Sequence, residues 1–148
     1  MTAAADSDLV FHGTRIRVHL RTAQTGGAYG LLEMWHPPSV GPALHVHPRG
    51  PESFLILAGE YLFTVGSESV PAGPGAALTV SPGVPHRYEV GAGGGHFIVV
   101  SPPGLEGYFE RVARPSRERP LTWEEEVALA AEHGQEFLGR AGHWAPER

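Results

Sequence analysis

Glycine and proline interrupt this chain so often that a long helix has no room in its first two thirds. The 148 residues include 20 glycines and 14 prolines, and these fall between short apolar runs. Short apolar runs bounded by turn residues predict many short strands, and so an all-β sandwich or barrel. The clearest is Arg15 to Arg21, which alternates polar and apolar with the period of a half-buried strand. Further strands are expected at Ala28 to His36, through His45 and His47, at Glu52 to Leu57, Tyr61 to Val65, Ser69-Val70, Ala76 to Val80, Pro85 to Val90 and His96 to Val100. Thr22 to Gly27 reads as a turn, and residues 1 to about 8 as a disordered lead.

Pro102-Pro103-Gly104 marks a change of pattern. Leu105, Tyr108, Phe109 and Val112 recur at helical spacing. Thr122 followed by Glu125 has the form of a capping box opening a second helix, with Gly134 as its stop. Glu124, Glu125 and Glu126 then fall in the first turn, where the helix dipole favours acidic groups, and they read as a solvated helix start. Pro115 to Pro120 reads as a polar linker. The expected organisation is a barrel over residues 8–102 and a helical extension over 103–148, packed on the barrel or on a partner subunit.

Composition removes several classes of function. With no cysteine there is neither a disulfide framework nor a thiolate ligand, so any metal must take nitrogen and oxygen donors. A net charge of −5 argues against a nucleic-acid surface. No apolar run approaches the roughly 20 residues that span a bilayer, and the N-terminus lacks a basic segment followed by an apolar one. A cytoplasmic protein without nucleic-acid or membrane partners is the expectation.

The chemistry concentrates at His45-Val46-His47-Pro48-Arg49-Gly50-Pro51-Glu52. Alternate strand residues share a face, so His45 and His47 project together. The Pro/Gly turn can return Glu52 to the same place. Downstream, Ser81-Pro82-Gly83-Val84-Pro85 sets His86 at the start of a strand. If that strand pairs beside His45, three imidazoles and a carboxylate converge. Such a set suits iron, manganese, nickel or cobalt, and is also compatible with zinc or copper, with one divalent ion per chain. Strand parity places Phe54 and Ile56 with Glu52, and Tyr88 with His86. With Tyr61 and Phe63 they are the candidate substrate-pocket residues. His36 and His96 read as surface or satisfied histidines, and His12, His19, His133 and His143 receive no role.

These residues resemble the cupin superfamily, in its small single-domain bacterial form. The spacing Gly41-x3-His45-x-His47-x4-Glu52-x6-Gly59 follows the family's first motif, with the leading glycine two residues closer. Gly75-x5-Ser81-x-Gly83-x2-His86-x3-Val90 follows the second, with serine and valine at positions usually held by proline and asparagine. The resemblance implies a jelly-roll barrel, a double-stranded β-helix, with His45, His47, Glu52 and His86 as ligands of one metal and a homodimer as the assembly. The tail, from Ser101 to Phe109 and from His133 to Gly139, is similar to quercetin 2,3-dioxygenase-like cupins. That likeness implies a metal-dependent dioxygenase acting with O2 on a small enol, diketone or aromatic polyol. Glu52 would there be both ligand and catalytic base. The alternatives are a non-redox cyclase or isomerase and a non-catalytic small-molecule-binding cupin.

Overall fold

A computed structural model describes residues 8–113 and 119–144. The expected lead at residues 1 to 7 and most of the expected linker lie outside the described residues.

Eleven strands and two helices follow one another as β1 (Leu9–Phe11), β2 (Thr14–Leu20), β3 (Gly30–His36), β4 (His45–Val46), β5 (Glu52–Ala58), β6 (Tyr61–Val65), β7 (Glu68–Ala72), β8 (Ala77–Val80), β9 (His86–Val90), β10 (Gly95–Ser101), α1 (Leu105–Val112), α2 (Trp123–Glu132) and β11 (Glu136–Phe137). They form a six-stranded sheet in the order β1-β2-β3-β10-β5-β8 and a five-stranded sheet in the order β11-β4-β9-β6-β7. Every pairing is antiparallel. This is a jelly-roll sandwich, and the expected strands are present with ends moved by a residue or two. The turn expected at Thr22 is a short 3-10 helix, Thr22–Thr25.

Two short strands were not expected, β1 and β11. Neither has a long alternating pattern, and each exists because an edge strand offers it partners. Leu9 sits opposite Ile16 and Phe11 opposite Thr14. Glu136 sits opposite Val46 and Phe137 opposite His45. Both cover edges that would otherwise leave backbone groups unpaired.

Alternation along the strands fills the space between the sheets. Phe54, Phe63, Phe97, Tyr61 and Tyr88 meet there with ring centroids 4.9 to 6.1 Å apart. Truncating a fully buried ring such as Phe97 to alanine would cost about 3–5 kcal/mol. Gly41 is needed for close approach, since a Cβ there would lie 1.7 Å from the Tyr88 carbonyl oxygen. The Val90 N–H donates to the Val40 carbonyl, which extends the second sheet past β4.

The extension closes the side of the sandwich between β1 and β11. Leu105, Tyr108, Phe109 and Val112 form the buried face of α1, as their spacing predicts. Glu106 on the same helix is buried and accepts hydrogen bonds from the Thr22 amide (2.7 Å) and hydroxyl (2.9 Å), which fixes α1 to the turn after β2. Thr122 caps α2 reciprocally with Glu125, and Gly134 stands just past its end with a left-handed φ of 75°. Glu124 and Glu125 lie toward solvent, but Glu126 is buried. The solvated reading therefore fails for one of the three acids. Among the described residues no helix is long and apolar enough to cross a membrane.

Candidate metal centre

His45 and His86 face each other directly across β4 and β9. His47 follows two residues after His45, and Glu52 opens β5 in the opposite sheet. The four side chains are all buried, and one ligand atom from each lies within 4.8 Å of the others. The ring centroids of the three histidines are 4.3, 4.8 and 5.2 Å apart. Sequence spacing anticipated this convergence, including its dependence on the β4–β9 pairing.

What lies behind each ring orients it. His45 Nδ1 is 2.7 Å from the Ala43 carbonyl oxygen and His86 Nδ1 is 2.9 Å from that of Val84. A carbonyl only accepts, so each Nδ1 carries the hydrogen and each Nε2 turns a lone pair to the centre of the cluster. Glu52 lies there with one oxygen 3.0 Å from His86 Nε2 and the other 3.4 Å from His47 Nε2. Both nitrogens of His47 are buried without a hydrogen-bond partner.

Imidazole nitrogens and a carboxylate that all face one buried point, with His47 making no hydrogen bond there, are suited to a cation between them. Two donors at about 2.1 Å from one ion and at right angles to each other are about 3.0 Å apart, which matches the His86–Glu52 separation. The residues thus fit a divalent first-row ion, with His45, His47 and His86 as nitrogen donors and Glu52 as the oxygen donor.

The electrostatics of His45 and Glu52 agree with this. Burial lowers the tendency of His45 to protonate, and the neighbouring His86 and His47 reinforce this. Burial opposes ionisation of Glu52, but His47 and His86 outweigh it and hold its carboxyl well below the usual range. His86 runs the other way: burial opposes its charge, but the Glu52 hydrogen bond outweighs it and raises the imidazole, so an ion there would have to displace the proton from Nε2.

A cavity of about 30 Å³ adjoins the cluster. His45, His47, Glu52, Phe54 and Tyr88 line it, together with Met34, Phe97 and Val99. Ile56, Tyr61 and Phe63 do not line it, which corrects the parity argument. Parity identifies the inward face but not the depth, and these three point inward farther along the barrel, into the aromatic core. Residues the sequence reading passed over also line the cavity: Leu105, Tyr108, Phe109, Gln135, Phe137 and Trp144 all come from the extension. Only the helical spacing of Leu105, Tyr108 and Phe109 hinted at burial. Nothing in the sequence marked Trp144.

His36 is a satisfied histidine, but not a surface one. It is buried, with Nδ1 2.7 Å from the Tyr61 hydroxyl and Nε2 2.9 Å from that of Tyr88. Burial holds its pKa down to about 3, so it stays neutral and orients both phenols. His96 lies outside the barrel and pairs with Glu33 at 2.6 Å.

Comparison with known proteins bears on the whole barrel. Residues 31–101 match the Cupin domain family. An RmlC-like cupin from Shewanella frigidimarina superposes with a TM-score of 0.58 at 18% identity, over 70% of this chain and 88% of that one. The polyketide cyclase RemF from Streptomyces resistomycificus gives 0.58 at 21% identity, over 69% and 80%. Oxalate decarboxylase from Bacillus subtilis gives 0.57 at 17% identity, over 71% of this chain and 31% of the enzyme. At such identities the likeness is one of fold. No curated protein matches the chain significantly in sequence.

Proposed function

We propose that this chain, whose residues 31–101 match the Cupin domain family, is a cupin and a mononuclear metal enzyme, a dioxygenase of a small enol, diketone or similar oxygen-bearing substrate. The observation that carries this reading is the cluster of inward-facing Nε2 atoms and the Glu52 carboxylate, with His47 making no hydrogen bond beside a cavity. A bound ion would supply Lewis acidity and, if redox-active, a site of reaction with dioxygen.

The chain's own residues do the rest. His45, His47 and His86 hold the ion through Nε2. Met34, Phe54, Phe97 and Val99 keep the cavity apolar, which strengthens every charge interaction inside it. Glu52 is ionised at any ordinary pH because its neighbours hold its carboxyl so low. It is therefore a weak base, matched to acidic O–H or C–H groups such as those of enols and 1,3-diketones. Tyr88, whose hydroxyl is held by His36, lines the same space.

A second reading follows from the same carboxylate. Proton transfer at Glu52 without oxidation would make the protein a cyclase or isomerase. Metal analysis of protein purified without chelators, paired with oxygen uptake against a panel of enols, diketones and flavonols, separates the two. About one redox-active ion per chain with substrate-dependent oxygen consumption supports the dioxygenase. Turnover with zinc and no oxygen use supports the second reading, and failure to bind any divalent ion rejects both.

A further inference from the structure

The cavity beside the cluster has a polar edge that the barrel does not supply. Tyr108 on α1 and Trp144 near the C-terminus both line it. They are 1% and 4% exposed, and neither the Tyr108 hydroxyl nor the Trp144 indole N–H has a partner. Two buried donors without acceptors destabilise a fold unless something else meets them. Both residues lie beyond residue 101, where the family match ends.

Trp144 is held in place from several sides. Its ring lies nearly parallel to those of His12 and His36, at 6.0 and 6.4 Å. Its backbone N–H donates to the Gly41 carbonyl, and the preceding His143 accepts from the Ala43 amide. Its φ of 55° is left-handed, a conformation that a bulky side chain keeps only when its surroundings fix it. Tyr108 is wedged among Phe11, Phe109 and Phe137.

Charge restricts what these donors can meet. No Lys or Arg lines the cavity among the described residues. A divalent ion with the Glu52 carboxylate and neutral imidazoles carries one net positive charge, enough for one anionic oxygen. A second anionic group at Tyr108 and Trp144 would have no counter-charge, whereas an uncharged carbonyl oxygen needs only donors. The cavity is also small, so its ligand must be compact.

We propose that Tyr108 and Trp144 form an acceptor subsite, and that the ligand is a small monoanion with its anionic oxygen at the histidine cluster and an uncharged carbonyl oxygen at these two donors. Short oxo acids and oxo-enolates have this form. The subsite rests on the metal reading above, and the test keeps the two apart.

The full chain is loaded with Co2+ and binding is followed in the visible spectrum. The probes are 3-oxobutanoate and 4-oxopentanoate, each compared with butanoate or pentanoate. Wild-type protein should bind at least one oxo acid about tenfold tighter than its alkanoate, the scale of one well-made buried hydrogen bond. Tyr108→Phe and Trp144→Phe should each cut that preference severalfold, with Co2+ affinity and alkanoate binding unchanged. Trp144→Phe leaves a void and is the riskier fold, so Tyr108→Phe carries a second readout. Losing an unpaired buried hydroxyl should leave the ligand-free Tm unchanged or higher. No oxo preference in wild type, full preference in Tyr108→Phe, or a clear fall in its ligand-free Tm would each overturn the subsite. Absence of Co2+ binding would overturn the metal reading, and the subsite with it.

Discussion

Among the described residues, two groups of histidine and glutamate bring one possible ligand atom from each member within 4.8 Å of the others, and they have opposite polarity. One is His45, His47, Glu52 and His86 inside the barrel. The other is His12, Glu126 and His143, where the β1–β2 turn, α2 and the C-terminal segment meet. Residue types alone would offer either as a metal site. The difference lies behind the rings. His45 and His86 turn Nδ1 to backbone carbonyls, which leaves Nε2 lone pairs facing inward. His143 turns Nδ1 to the Ala43 amide at 3.1 Å, an N–H that only donates. The hydrogen of a neutral His143 must then sit on Nε2, aimed at Glu126 2.6 Å away. His12 Nε2 lies 2.8 Å from the other Glu126 oxygen. At 2.8 and 2.6 Å these separations suit charge-assisted hydrogen bonds. The second group is a latch joining three segments around a buried carboxylate.

Metal stoichiometry breaks this comparison most directly. His86→Ala and His47→Ala should each take metal content from about one ion per chain to a small fraction of that. His12→Ala and His143→Asn should leave it near one, measured by elemental analysis after dialysis. A second ion of similar affinity that disappears with His143→Asn would mean the latch is a metal site after all.

Within the first group, Glu52→Gln sharpens what the carboxylate does. Glutamine keeps a neutral oxygen for the ion but accepts no proton at neutral pH. With three imidazoles left, metal should be retained, while turnover of a substrate found by screening should fall by on the order of a hundredfold. Near-normal turnover at full metal content would leave Glu52 a ligand only.

The first group was legible in the sequence and the second was not, for a physical reason. His45, His47 and Glu52 lie within eight residues, and a strand and one turn bring them together locally. His86 needed one inference, its pairing with β4, and a Pro/Gly turn announces the start of β9. His12, Glu126 and His143 are brought together only by docking of the extension, which no local pattern encodes. Glu126 looked like one of three solvated acids because helix dipole and capping explain Glu124, Glu125 and Glu126 equally well. The cavity wall divides the same way. Phe54 and Tyr88 follow from strand parity, whereas Gln135, Phe137 and Trp144 depend on how the C-terminal segment returns along β4.

If the second group is a latch, its loss is felt in stability. Glu126→Ala leaves the His143 Nε2–H buried without an acceptor, which costs about 1–3 kcal/mol. Glu126→Gln should lose less. Its amide oxygen still accepts from His143, and its NH2 faces His12, which is 36% exposed and free to offer the other tautomer. Urea titration at neutral pH should rank wild type, Glu126→Gln and Glu126→Ala in that order. Equal midpoints for all three would remove the latch's structural role.

The smallest expected effect is one of pH, and it separates charge from shape at Glu126. Burial opposes ionisation there, but hydrogen bonds from His12 and His143 outweigh it and hold the carboxyl down to about 2, against an ordinary 4.5. A depressed carboxyl stabilises the folded chain above its unfolded pKa, and the contribution fades as acid protonates the folded group. The stability Glu126 adds should therefore be complete above about pH 5 and decline between there and about pH 2. Glutamine at this position has nothing to protonate. The gap between wild type and Glu126→Gln should thus be widest near neutrality and close in acid, by about 2 kcal/mol or less given the partial exposure of His12. The barrel cluster also loses stability in acid, but equally in both proteins, so it cancels in the difference. Paired urea midpoints at pH 7, 5, 4 and 3 measure that difference. A gap constant across the series would mean that Glu126 acts by packing alone, and that its two histidine contacts contribute no more than neutral hydrogen bonds would.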